Sequence, residues 1–390
     1  MTHVKSFANL EMTTKHIQFE VYDSFEKYAE VNWLRLEKHA KSYVFQRFSW
    51  LKHWYSTVGT ADGIKPIIIV VFEKKQPIAL FPLCMHYFFG VRIIKFLGGD
   101  QADYNAPIVL PDRFTQKRFV EIWSAMLELL PAHDVRYFTR IPEYLDVSNN
   151  PIFFNVAGKK IDGVAYSANL TPSWRDFEQH LSRKLLKDNA RMIRRLSEIG
   201  DVEIHESKSD EQYQNIIEAA ISQKTKRYLE TGVRNILSSS SVRTFYTGLY
   251  AAIAAEPKIH LTALKVGDRI LATHLGVYDR GRYYYIFPTF DSGALSKYSP
   301  GRLLLEYLVK SAIQKGLNVF DFTVGGEAYK QQWCDSEMRL YRILEANTLQ
   351  GHLYMWLQRL FLWAKQSRHA RYFLIGGIRL VRKISMQYGK

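Results

Sequence analysis

The chain has 390 residues, of which 47% are hydrophobic, and a formal net charge of +15. At roughly 150 residues per domain this suits two packed domains with a sizeable core, and it excludes a disordered or collagen-like chain. Two cysteines, Cys84 and Cys334, cannot supply a disulfide framework or a cysteine zinc site, and the twelve histidines show no HExxH spacing, so no metal is expected. No uncharged apolar run reaches the ~20 residues of a spanning helix, and the N-terminus lacks a signal-like apolar core. The expectation is a cytoplasmic protein.

In chain order, an aromatic-rich helical segment around Phe45, Phe48, Trp50 and Trp54 comes first. PIIIVVFEKKQPIALFPLCMHY then reads as a hairpin turning at Lys74-Lys75-Gln76. LGGDQADYNAPIV places Asp103 and Tyr104 in a loop whose Gly, Asp and Asn content satisfies turn chemistry by itself. SWRDFEQHLSRKLLKDNARMIRRLSEIG carries Leu181, Leu185, Ile193 and Leu196 on one face and stops at Gly200, which predicts one basic amphipathic helix. Its cations Arg183, Lys184, Lys187, Arg191, Arg194 and Arg195 are opposed within that span only by Asp188.

Helices are predicted over 211–229 and 241–255, followed by a three-stranded meander with turns at Gly267-Asp268 and Arg280-Gly281. His274 alternates with apolar neighbours on the middle strand, the pattern of a satisfied core histidine or of one bordering a ligand tunnel. The aromatic content, 14%, including RYYYIFPTF, reads as core and pocket lining rather than a nucleic-acid stacking platform. The order of elements before the meander echoes that of the first half, which suggests a tandem repeat.

YSPGRLLLEYLVKSAIQKG predicts a helix over 300–316, with Ser299 able to cap it, Pro300 in its first turn, Gly301 permitting close backbone approach and Arg302 adding a cation. First-turn N–H groups and the helix dipole attract phosphate, although the same residues also make an ordinary helix start. A strand over 317–323 reaches Asp321, and FDFTVGGEAYKQQW then crowds Glu327, Tyr329, Lys330 and Trp333 beyond the Gly325-Gly326 turn. Glu327 and Lys330 also have the spacing of a surface pair, and Asp321 that of a partner for an arginine. Past Glu345 the chain has no acid and eight Lys or Arg, interleaved with aromatic and aliphatic residues. That composition suits an anionic membrane surface, or a terminal helix docked through Leu353, Trp356, Leu360 and Trp363. GxSxG, GxGxxG and GxxxxGK[ST] are absent, so hydrolase and nucleotide-hydrolysing readings lack support.

Segments 298–316 and 320–333 together resemble the C-terminal half of the GNAT-type acetyltransferases grouped with the cellulose-biosynthesis CelD-like proteins, relatives of the FemAB aminoacyl transferases. The resemblance implies an α/β (α+β) fold: tandem GNAT-like mixed-sheet domains with flanking helices in a FemAB-like architecture. Residues 1–165 would form a degenerate N-terminal GNAT-like domain, 166–345 the acyltransferase domain, and 346–390 a basic amphipathic helical tail. It implies acyl-CoA, foremost acetyl-CoA, as donor, with Ser299, Gly301 and Arg302 at its phosphates. KYSPGR has one glycine where the usual GNAT loop has two, the form of the CelD-like and FemAB-like branch, so aminoacyl-tRNA is the alternative donor.

YKQQW matches the FemAB-like aromatic-Lys-x-x-aromatic unit, which implies that Lys330 stabilises an oxyanion or a donor phosphate, with Glu327 and Asp321 as further catalytic candidates. The Asp103-Tyr104 pair matches a family segment facing the acceptor, so that Asp103 would orient or deprotonate an amine. Tyr104, His274, Tyr329 and Trp333 are the substrate-binding candidates. The implied reaction is acyl transfer to an amine on a cell-envelope sugar or polysaccharide precursor, peripherally at the inner face of the membrane. A non-catalytic accessory protein of a polysaccharide synthase is the alternative outside enzymes. The sequence assigns no oligomeric state.

Overall fold

A computed structural model of the protein describes residues 17–146, 148–154, 160–253 and 257–366. The first half runs β1 (Ile17–Tyr22), α1 (Lys27–Glu37), α2 (Phe48–Trp54), β2 (Lys65–Glu73), β3 (Gln76–Phe88), β4 (Val91–Phe96), β5 (Ile108–Val109), α3 (Gln116–Glu128) and β6 (Val135–Pro142). A short hairpin, β7 (Tyr144–Leu145) and β8 (Ser148–Asn149), leads to β9 (Lys160–Asn169) and α4 (Trp174–Phe177). The second half continues α5 (Arg183–Ser197), β10 (Val202–Glu206), α6 (Asp210–Thr231), α7 (Ser240–Ala252), β11 (Lys258–Val266), β12 (Arg269–Asp279), β13 (Arg282–Phe290), α8 (Pro300–Gln314) and β14 (Val319–Val324). β15 (Ser336–Ala346) and α9 (Leu349–Gln366) follow.

Apart from β7 and β8, these strands form one 13-stranded mixed sheet ordered β1-β2-β3-β4-β6-β15-β9-β14-β13-β12-β11-β10, with β5 beside β3. Each half holds an antiparallel meander, a crossover helix and a strand returning parallel to the meander's last strand: β4 with β6 across α3, and β13 with β14 across α8. This repeated order is the tandem arrangement expected from the sequence. The turns are also as expected, with Lys74 and Lys75 at φ 46° and 64° and Arg280 and Gly281 at 49° and 74°, the left-handed pairs a two-residue hairpin requires. β2 reads PIIIVVF without alternation because both of its faces are covered.

The halves share their centre. β9 straddles the expected boundary at 165/166, and β15, from the end of the second half, pairs with β6 of the first as well as with β9. One apolar cluster runs from Trp33, Phe45 and Phe81 through Phe245 to Leu261 and Phe287. A second lies under α5 and α8, around Leu185, Leu196, Leu308, Phe320 and Phe322. Buried Arg47 binds both Glu37 of the first half and Asp279 of the second, and Arg280 donates to the carbonyls of Glu37 and Ala40.

Two expectations are corrected. The single basic helix over 173–200 is broken into α4 and α5, because Ser173 and Ser182 each cap a new start by accepting from the amides of Asp176 and Leu185, while buried Leu181 between them is extended. The start of the C-terminal tail is helical, but α9 does not dock through Leu353, Trp356 and Leu360, which are all exposed. The second basic stretch of the tail lies outside the described residues.

Candidate active site

β13 and β14 pair only at Arg282 with Val319, Tyr283 with Phe320 and Tyr284 with Asp321, and then part. The gap holds a cavity of about 510 Å³, lined by Tyr285, Thr289 and Phe290 from β13, by Ser299, Gly301, Arg302 and Leu305 at the start of α8, by Glu327 and Tyr329 beyond β14, and by Lys224 and Arg227 of α6. This is within the ~300–1,000 Å³ usual for small-molecule sites.

The helix mouth differs in detail from the sequence expectation. Ser299 sits at φ 53° and its hydroxyl makes no cap; its carbonyl instead accepts from the amides of Arg302 and Leu303. Pro300 has no N–H, so the pull on an anion rests on the Gly301 amide, the Arg302 guanidinium, the helix dipole and the cations of α6. Arg302 Nε, Thr273 Oγ1 and Thr289 Oγ1 are buried without a hydrogen-bond partner among the described residues, and all three residues line this cavity. Such polar atoms fit a ligand with several oxygens, as the phosphate and amide groups of coenzyme A provide.

Beyond the splayed strands a second group of side chains converges. Gly325, at φ 134°, lets the chain fold back so that Lys330 Nζ reaches the Val324 carbonyl at 3.0 Å and Glu327 Oε2 at 3.0 Å. A Cβ there would lie 2.4 Å from Glu327 Oε2 and 2.9 Å from Lys330 Nζ. Lys330 is buried and Glu327 is not, so the pair is not a surface pair on a helix. Thr323 holds φ 57°, a strained value for a β-branched residue that costs on the order of 1–3 kcal/mol. Its hydroxyl approaches Asp103, which the glycine turn at Gly98, where a Cβ would strike Ala102 at 2.6 Å, delivers to the same place.

The carboxyl of Asp103 is pushed above its ordinary range by burial, against the pull of Arg140, the Thr323 hydrogen bond and Lys330. Burial pulls the ammonium of Lys224 below its ordinary range, opposed by Glu327 and reinforced by Lys330. Lys224 also donates to the Pro288 carbonyl at 3.0 Å.

Asp321 is brought here but is fully engaged. One oxygen accepts from the Tyr104 hydroxyl at 2.7 Å and the Thr323 amide at 2.8 Å, the other from Arg282 at 3.0 Å. Tyr104 thereby ties the halves together. Tyr329 lines the cavity and is hydrogen-bonded to Tyr285. His274 does not line it: fully buried, it stacks on Tyr285 at 4.1 Å and shares a 3.0 Å hydrogen bond with Tyr283. Trp333 is likewise buried in the apolar cluster under α8. The sequence reading missed Lys224, Arg227, Thr273, Arg282 and Thr323. Of these only Lys224 and Arg227 left a signal, as clustered cations within the SQKTKRYLE stretch of α6. Across Arg282 and Tyr43 a separate cavity of about 270 Å³ opens, carrying Lys38, Lys41 and Arg280 as well as Asp146 and Asp279.

A family model described as an acetyltransferase (GNAT) domain matches residues 183–331, the span from α5 to the Lys330 turn. No curated protein sequence matches the chain. Among solved structures, the chain is similar to that of FemX, with 10% identity over 82% of this chain and 96% of that one and a TM-score of 0.54. It is also similar to a tandem GNAT protein from the clavulanic acid biosynthesis pathway, with 11% identity over 85% and 98% of the two chains and a TM-score of 0.50. At those identities the likeness is one of fold. Residues 183–331 thus match a GNAT acetyltransferase domain, set in a tandem, FemX-like fold, and that match supports an acyltransferase of the GNAT type.

Proposed function

We propose that the protein moves an acyl group, foremost acetyl, from acyl-CoA to an amine on a cell-envelope sugar or polysaccharide precursor, as a member of the CelD-like branch. The observation that carries this reading is the cavity between β13 and β14, whose lining joins an anion-attracting helix start to Glu327, the ion-pair partner of Lys330, with Asp103 close behind that pair. Arg302, Gly301, Lys224 and Arg227 hold the donor's phosphates, and Ser299 shapes the mouth. Asp103 takes a proton from the acceptor amine, which attacks the thioester carbonyl. The oxyanion that forms is stabilised by Lys330, oriented by Glu327, and collapses with expulsion of the thiolate, which takes up the proton that Asp103 removed from the amine and leaves as the thiol. Asp321 and Tyr104 position this group rather than exchange protons, because their polar atoms are already paired. The basic 270 Å³ cavity beyond Arg282 suits an acceptor bearing phosphate. The same reading places the enzyme peripherally at a membrane, through residues 346–390.

A FemAB-type reaction with aminoacyl-tRNA is the second reading, favoured by the row of exposed cations on α5, among them Lys184, Arg191 and Arg194. Calorimetry with coenzyme A and with bulk tRNA, alongside thiol release from acetyl-CoA in the presence of amino-sugar nucleotides, separates the readings. Coenzyme A binding with acceptor-dependent thiol release is expected. Tight tRNA binding without coenzyme A binding moves the assignment to the second reading, and binding of neither leaves an accessory role.

A further inference from the structure

The last described helix, α9, is mounted the wrong way round for a helix bathed in water. α9 turns Gly351, Tyr354, Met355 and Gln358 toward the sheet, and Gly351 packs so closely that a Cβ would lie 2.1 Å from the Asp134 carbonyl oxygen. Its opposite arc, about 100° wide at 100° per residue, carries Leu349, Leu353, Trp356, Leu357 and Leu360. All five are exposed, Leu349 to 90%. A helix on a soluble globule buries such an arc, because that burial is what stabilises the helix.

The tip of the β3–β4 hairpin adjoins this arc. Phe89 is 91% exposed at φ 47°, followed by Gly90 at φ 80°, so a bulky aromatic occupies a left-handed turn position that favours Asn, Asp or Gly. The Phe88 ring meets Tyr354 of α9 at 6.2 Å between centroids, and the Gln350 side chain lies 3.7 Å from where a Cβ of Gly90 would be. Tip and helix are therefore one surface. A groove beside α9 is lined by Lys160, Arg342 and Arg359, and six more cations follow between residues 367 and 390 with no acid.

We infer that α9 and the Phe88-Phe89 hairpin tip form a single face that docks on an anionic lipid bilayer. The inference deepens the peripheral placement proposed above and is independent of the reaction. Apolar side chains enter the headgroup boundary while flanking cations meet lipid phosphates, the two contributions that hold an interfacial helix. Charge disfavours the other occupants. A second copy would set the same cations against each other, and residues 367–390 folded back would bring six cations beside Lys160, Arg342 and Arg359. No described helix is long and apolar enough to cross a membrane, so the contact is with the surface.

The test is flotation of the full chain with vesicles of phosphatidylcholine plus phosphatidylglycerol, and of phosphatidylcholine alone, at low and high salt. Binding is expected to the anionic vesicles and to weaken with salt. Phe89→Ser and Trp356→Ser should each lower partition by roughly fivefold or more, with unchanged circular dichroism. Wild-type protein that stays in solution, or variants that float as well as wild type, overturns the inference. Light scattering that shows a dimer dispersed by Trp356→Ser gives the face to a second copy. Deletion of 367–390 that newly exposes α9 to protease gives it to the tail. Coenzyme A binding measured on the same samples reports on the donor assignment separately.

Discussion

Asp103 lies where two demands conflict. Burial raises its carboxyl above the ordinary value of 3.8, so the folded protein holds that proton more firmly than the unfolded chain does. A carboxyl raised on folding adds stability below its unfolded value, and that contribution is lost as pH rises through the folded one, so at neutral pH the ionised group weakens the fold. Asp103→Asn should therefore raise the melting temperature at neutral pH while lowering turnover by roughly 10²-fold and removing the acid limb of the kcat/KM profile. Arg140 keeps the carbonyls of Asp100 and Ala102 as partners, so the variant leaves it paired. Lys330→Met retains the buried stem without the charge. Turnover of acetyl-CoA should fall by roughly 10² to 10³ with the fold intact, and a near wild-type rate would remove Lys330 from the chemistry. Lys330 and Tyr329 were legible because they fall within one short unit of sequence. Lys224 was not, since it reaches the cavity from α6, far upstream, and the cluster of cations around it has the pattern of an ordinary solvated helix face.

At the scale of elements, the donor site proposed above rests on α8. A Cβ at Gly301 would meet only Phe290, at 3.6 Å, so Gly301→Val leaves the helix in place while its methyl groups project into the cavity. Affinity for coenzyme A, measured by calorimetry, should drop at least about tenfold without a change in melting temperature. Unchanged affinity would place the donor elsewhere. The start of α9 is fixed by Asp134, whose carboxylate accepts from Arg92 through backbone and guanidinium and from the Thr348 hydroxyl. The Arg92 contacts, before all else, hold that carboxyl well below its ordinary range, so its stabilising effect is complete above the unfolded value and is lost only as pH falls through the lower folded one. Asp134→Ala should lower stability by about 1–3 kcal/mol at neutral pH and release α9 to proteolysis. The helices of the second half were readable from caps and periodicity, but the break between α4 and α5 was not, because a continuous apolar stripe concealed two serine caps.

At the scale of the whole molecule, the halves are held by groups that neither could keep buried alone. Arg47→Met would leave Glu37 and Asp279 facing each other without their cation, at a cost of about 3–5 kcal/mol. Denaturant unfolding should then remain a single transition at lower midpoint. Separation into two transitions would show that the halves fold independently. By itself the sequence determined the tandem order of elements, the hairpins, the helix at Pro300 and the crowding around Lys330, because periodicity, turn residues and caps act over a few neighbours. Only the tertiary structure decided that β15 crosses to pair with β6, that Asp321 spends both oxygens on Tyr104, Thr323 and Arg282, and that α9 faces its apolar arc outward. Those outcomes depend on which distant surfaces meet, and local pattern carries no record of that.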